Sequence, residues 1–301
     1  MASPVVRDST VRSHYESVGR VINTMRDQID QPLSLGSMAR IAFASRYHFN
    51  RTFRQVTGVP PAQFLYALRL ERAKRLLMQT RRKVIDICYD VGYNSVGTFT
   101  RRFTDLLGIS PQAFRELAQL PLEPVATPAN GAAKNGHLAF GYPVSGYVKT
   151  PPRFHGLIFV GLFETPIPQS KPLACTIARE SGPYKFQAPA EGEFYLFALG
   201  LEHPIHSPDC FQYESALRGG GHSITIYRNL VEGSTYLRLR PPSPFDPPIL
   251  LALPVLMEAQ PPNRVATAET RKNGDRAKTH RSSMNGKPKV QADFGSQVKH
   301  P

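Results

Sequence analysis

The chain has 301 residues, a net charge of +14, three cysteines and no tryptophan. Such a length accommodates two ordinary domains of about 100 to 200 residues each, and Cys88, Cys175 and Cys210, with no CxxC pair, are too few and too scattered for a disulfide framework, so a reducing cytosol fits. The longest apolar run, Ile249 to Met257, is broken by Pro254 and falls short of the roughly 20 residues that span a bilayer; with no apolar signal core near the N-terminus, a soluble cytoplasmic protein with no membrane partner is expected.

The first predicted helix is VGRVINTMRDQI, where Val18, Val21, Ile22, Met25 and Ile29 form one stripe. Pro32 comes next, and Ser34 can cap a short helix holding Met38, Ala39 and Ile41. A further helix begins after Ser45, and then AQFLYALRLERAKRLLMQ places Phe64, Leu65, Leu68, Ala73, Leu76 and Leu77 inward and Arg69, Arg72, Lys74 and Arg75 largely outward. At 1.5 Å per residue this long helix is about 27 Å, a spacer between the helices on either side of it. VIDICYDVG and a helix after Ser95 complete a region, 17–118, that reads as helical throughout.

From 119 to 150 a Pro, Ala, Gly and Asn mixture has linker character. Over 151–260 the period changes: GLIFVGLFE, PLACTIAR, YKFQAP, GEFYLFALGLE, SITIYRN, STYLRLR and ILLALPVL are short, rich in β-branched and aromatic residues and separated by turn residues, which predicts an all-β sandwich. Residues 261–301 are polar, basic and poor in aromatics, so a disordered tail is expected. The fold class is therefore α then β, multidomain. Charge divides along the same lines, with sixteen basic against seven acidic residues in 17–120, ten against eleven in 121–260 and nine against three in the tail. A positive field confined to one region and one extension suits a polyanion-binding module beside a module with different work.

The helical region repeats itself. FNRTFRQVTGVPPAQF, Phe49 to Phe64, returns as FTRRFTDLLGISPQAF, Phe99 to Phe114; upstream, Ser45 returns as Ser95 and Phe43 as Tyr93. At 100° per residue Phe49, Thr52, Phe53 and Val56 share one side of the first copy, while Tyr47, Asn50, Arg51 and Arg54 share an arc of about 100° on the other. A guanidinium suits the acceptors of guanine, a carboxamide suits adenine and an aromatic packs on a thymine methyl, so this face fits a major groove. In the second copy Phe99, Phe103 and Leu106 face inward and Gly97, Thr100, Arg101 and Thr104 outward, leaving Arg101 most of the base contact. Arg46 and Arg102 divide evenly between phosphate contact and solvated charge; His48 suits capping or a phosphate better than a metal. Each copy is a helix-turn-helix, and two such readers about 34 Å apart meet successive major grooves of one duplex.

These stretches resemble the tandem helix-turn-helix domain of the AraC/XylS family of bacterial transcription regulators, on Gly92, Tyr93, Ser95, Phe99, Arg101, Phe103, Gly108, Ser110, Pro111 and Phe114. The resemblance implies base readers at Tyr47, Asn50 and Arg51 in the first copy and at Val96, Gly97, Thr100 and Arg101 in the second. It also implies an activator of transcription acting on double-stranded DNA in the bacterial nucleoid, with RNA polymerase as a partner. Gly36 departs from the family, which often has an acidic residue there, and Val96-Gly97 stands where polar residues are common. The β-rich part is more distantly similar to carboxypeptidase-regulatory or prealbumin-like sandwiches, on Gly156, Gly161, Pro183, Tyr184, Phe186, Pro189, Gly192 and Tyr195. That likeness implies an accessory domain for an effector or a protein partner.

No catalytic constellation is present, so no enzyme activity and no cofactor is expected. The loop HPIHSPDC, with His203, His206, Asp209, Cys210 and nearby His222, matches no closed zinc site, and Cys88 reads as a buried small hydrophobe. The alternative to a sequence-specific regulator is a β-sandwich interaction protein whose helical region tethers nucleic acid without specificity.

Overall fold

A computed structural model describes residues 4–120, 141–202 and 211–252. The tail at 261–301 and the loop with His203, His206, Asp209 and Cys210 lie outside these residues. Helices come first and strands second, so the expected order of α then β holds.

Helix α1 (Pro4–Asp27) starts well ahead of the predicted residue 17 and buries Val18, Val21, Ile22 and Met25 on one stripe. After it come α2 (Leu35–Ile41), α3 (Arg46–Thr57), α4 (Pro61–Gln79), α5 (Val84–Asp90), α6 (Val96–Leu107) and α7 (Pro111–Gln119). Serine caps recur as expected: the Ser34, Ser45, Ser95 and Ser110 hydroxyls accept from the N–H groups of Ser37, His48, Thr98 and Ala113. Both α3 and α6 end at a glycine in the left-handed region, Gly58 at φ +80° and Gly108 at φ +81°, which frees each chain to turn into a proline-started helix.

The sequence repeat is also a packing repeat. Phe49, Phe53 and Phe64 meet edge to face at 5.5 Å and 5.5 Å, and Phe99, Phe103 and Phe114 repeat the spacing at 5.7 Å and 5.5 Å, the first of these pairs tilted and the second edge to face. One pairing needs correction, because Phe43 does not occupy the place of Tyr93. Phe43 at φ +55° and Gly92 at φ +80° hold the same turn position, donating to the Arg40 and Tyr89 carbonyls at 3.0 and 2.9 Å. Ala44 and Tyr93 come next, donating to Ala39 and Cys88 at 3.0 and 3.1 Å, so the second turn carries one extra residue, Asn94.

Eight strands succeed the helices among the described residues: β1 (Tyr142–Lys149), β2 (Gly156–Phe163), β3 (Ala174–Ala178), β4 (Gly182–Ala188), β5 (Gly192–Glu202), β6 (Leu217–Tyr227), β7 (Leu230–Glu232) and β8 (Tyr236–Arg238). They form two sheets, ordered β4-β1-β8 and β3-β2-β5-β6-β7. Strand β1 lies inside the stretch expected as linker; its Pro143 and Gly146 weaken the strand pattern, yet pairing with β4 aligns Val144 with Phe186 and Val148 with Gly182. ILLALPVL is not a strand over its described part, residues 249–252; it contributes a single bridge from Leu250 to Gln169. The run Gly219 to Gly221 sits in β6 beside a bulge in β5 at Leu196/Phe197, and a Cβ at Gly220, φ +92°, would collide with the Leu196 carbonyl oxygen. Backbone proximity accounts for glycine there.

The two sheets enclose Val144, Val148, Phe186, Ile158, Val160, Leu162, Leu196, Ile224 and Leu237. Strand β2 is buried along almost its whole length, so its second face is covered as well. That face belongs to the helical core: Phe163, Leu199 and Leu201 share one apolar cluster with Phe114, Phe103 and Leu77. The described residues accordingly fall in one compact unit. Phe211 extends the second phenylalanine series, 5.3 Å from Phe114, and Ser170 closes the end of α6 by donating its N–H to Leu106 O at 2.6 Å and its hydroxyl to Asp105 O at 2.5 Å.

Lys74 also departs from its expected outward position. It is buried, and Nζ donates to the carbonyls of Leu251 at 3.1 Å and Ile249 at 3.4 Å and lies 4.9 Å from the centre of the Tyr213 ring. A helical wheel of α4 shows which residues share a face. It does not show that a segment from the far end of the chain covers the polar one.

Candidate nucleic-acid interface

In α3, Phe49, Thr52 and Phe53 are buried while Arg46, Tyr47, Asn50, Arg51 and Arg54 are exposed, Tyr47 to 81%. The N-cap at Ser45 and the stop at Gly58 limit the helix to twelve residues. Its apolar stripe packs on α1, α2 and α4, so the opposite stripe has to face solvent, with its donors directed outward. Tyr47, Asn50, Arg51 and Arg54 are thus brought together on a rigid, capped element.

The corresponding face of α6 is thinner. Gly97 is exposed, Arg101 is exposed with Nε 3.8 Å from the Asp105 carboxylate, and Thr100 is half-buried, its carbonyl accepting the Thr104 hydroxyl at 2.8 Å. Val96 is half-buried and packs against the core. The Arg102 guanidinium lies 5.7 Å from the centre of the Tyr66 ring, an attraction that draws it back over α4. Leu107 takes the fully buried position at the end of α6, with Leu106 only partly covered.

Two further groups shape the site. The Arg46 guanidinium lies over Gly36, where an added Cβ would come within 3.3 Å of Nε and Nη2, so the missing side chain leaves room for Arg46 to cross the first turn of α2. Arg69, expected outward, instead donates to the Ile29 and Gln31 carbonyls at 3.0 and 2.8 Å, fastening the turn between α1 and α2, just ahead of the first motif, to α4. Arg115 does the same for the second motif, donating to Leu77 O at 3.4 Å and Arg82 O at 2.5 Å. Burial pushes the Tyr93 phenol and the Cys88 thiol up from their ordinary pKa values, which keeps both neutral in the core of the second motif. Among the described residues no cluster of His, Cys, Asp and Glu could hold a metal ion, and no helix is long and apolar enough to cross a membrane.

A family model described as a helix-turn-helix domain matches residues 38–117. The transposon Tn10 TetD protein of Escherichia coli is 30% identical over 102 residues, covering 34% of this chain and 74% of that protein. The chain belongs to the AraC family of helix-turn-helix DNA-binding regulators. Other AraC-family matches are the HTH-type transcriptional regulator ArgR of Pseudomonas aeruginosa, 29% identical over 34% of this chain and 31% of that one, and the bifunctional transcriptional activator/DNA repair enzyme AdaA of Bacillus subtilis, 31% identical over 30% of this chain and 43% of that one. The chain thus spans well under half the length of these two relatives. A solved AraC-type DNA-binding domain protein from Chromobacterium violaceum aligns over 36% of this chain and 96% of its own at 28% identity, with a TM-score of 0.34.

Proposed function

We propose that this AraC-family chain is a sequence-specific transcription regulator, an activator, that lays α3 and α6 in successive major grooves of one duplex. The observation that carries the reading is the double occurrence of a serine-capped, glycine-stopped helix on a phenylalanine core, with arginine on the opposite face both times. On this reading Tyr47, Asn50 and Arg51 read bases, Arg54 contacts base or phosphate, and Arg46 contacts phosphate. Arg101 supplies most of the base contact of α6, beside Gly97 and Thr100. Val96 and Arg102, drawn towards the core and Tyr66 respectively, contribute least, so the second half-site is held more through phosphates.

The sandwich is then an accessory domain for an effector or protein partner, RNA polymerase is the partner of the bound complex, and the chain works at the nucleoid. Competition binding on the full chain tests the base-reading claim. Arg51→Ala should lose about 1 to 3 kcal/mol on a selected duplex and little on random DNA; equal losses on both would reject it.

A further inference from the structure

We propose that Phe43 is a DNA contact of the first motif, an apolar group that rests on the groove-reading role of α3 and extends it beyond the helix. Phe43 and Gly92 occupy the same position of the two turns, both at positive φ. Glycine holds that conformation freely, whereas a phenylalanine there is strained. A buried ring would repay the strain through packing, but Phe43 is 85% exposed. The fold gains little from this side chain, so its use lies outside the fold.

Its position indicates where. Phe43 stands two residues before the Ser45 cap of α3, and Tyr47, 81% exposed, lies in the first turn of that helix. A helix-turn-helix docks the N-terminal part of its second helix against base edges, so this end of α3 is the end brought to the duplex. The Arg20 guanidinium of α1 lies 5.4 Å from the centre of the Phe43 ring. An apolar ring beside a cation matches the alternation a duplex offers, a thymine methyl or deoxyribose next to a phosphate. Its place just ahead of the N-terminal end of α3, the helix that carries Tyr47, Asn50 and Arg51, makes DNA the occupant.

Phe43→Gly and Phe43→Asn, both compatible with the left-handed region, test the assignment in the full chain on a duplex selected from a random library. Arg51→Ala serves as the control. Both Phe43 variants should melt at the same temperature as the parent or higher, and bind the selected duplex about fivefold more weakly or worse, a loss of roughly 1 kcal/mol or more. Replacing thymines singly with deoxyuridine identifies the surface touched. A loss in the parent that disappears in Phe43→Gly places the ring on a methyl, and uniform indifference places it on a sugar. Unchanged affinity in both variants, with Arg51→Ala still impaired, overturns the role of Phe43 alone. Unfolding of Phe43→Gly overturns it too, because the residue would then be structural. An Arg51→Ala chain that binds normally would remove the groove-reading role beneath it.

Discussion

Lys74 Nζ donates to the carbonyl oxygen of Leu251 at 3.1 Å, joining the long helix α4 to a segment 177 residues away. The ammonium is enclosed, and desolvation lowers its pKa from 10.5 to about 8 against the opposing pull of Glu71. Burial in turn raises the Glu71 carboxyl. Because the folded state holds the Lys74 proton less firmly than the unfolded chain, unfolding takes up protons between about pH 8 and 10.5, and stability rises with pH through that window. Lys74→Met removes the effect. Denaturant titrations of parent and variant at pH 7 and pH 10 should show the parent gaining up to about 3 kcal/mol relative to the variant; a constant difference would mean that the charge is solvated.

The contact of Phe114 with Phe211 at 5.3 Å makes a second test of the shared core. Phe211→Ala opens a cavity where helices and sheets meet and should cost about 3 to 5 kcal/mol. Helical and sheet signals should fall together in the parent, since one apolar cluster serves both. Separate transitions in far-ultraviolet dichroism and aromatic fluorescence would contradict that coupling.

Gly36 lies in the first turn of α2, where glycine is costly and an acidic side chain is favoured by the helix dipole. Gly36→Glu should raise stability by roughly 1 kcal/mol. The flexible Arg46 side chain would shift and pair with the new carboxylate. If Arg46 holds a phosphate, the same substitution lowers the slope of log affinity against log salt by about one. Thermal melts and a salt titration check the two halves separately.

The readers should be unequal. Arg101 and Asp105 are both well exposed and 3.8 Å apart, a surface pair that adds little to stability. Asp105→Asn should therefore leave the melting temperature unchanged and strengthen DNA binding modestly by removing a negative charge near the duplex. Library selection with Arg101→Ala should relax fewer base positions than selection with Arg51→Ala, because α3 keeps Tyr47 and Asn50 beside its arginine. Equal relaxation would argue for symmetrical reading.

Local chemistry explains what was legible in advance. Serine caps, glycine stops, the helical period and the phenylalanine spacing each act within a few residues, so the two faces of α3 came from angles alone. Strands β2 and β5 were readable for the same reason, as β-branched and aromatic runs between turn residues. Strand β1 was not, since Pro143 and Gly146 blunt its pattern and pairing with β4 stabilises it. Equal spacing from the serine caps pairs Phe43 with Tyr93 in the sequence. Only the backbone hydrogen bonds revealed that the second turn is longer by one residue.

The sequence by itself determined the tandem helix-turn-helix and the outward-facing groups of α3, because those depend on periodicity and on interactions between near neighbours, and its motif residues carried the resemblance to the family. Tertiary structure decided the fates of Lys74, Arg69, Phe211 and the segment 249–252. Each of these finds its partner far along the chain, and a buried charge or a second covered face of β2 exists only once helices and sheets have closed on each other.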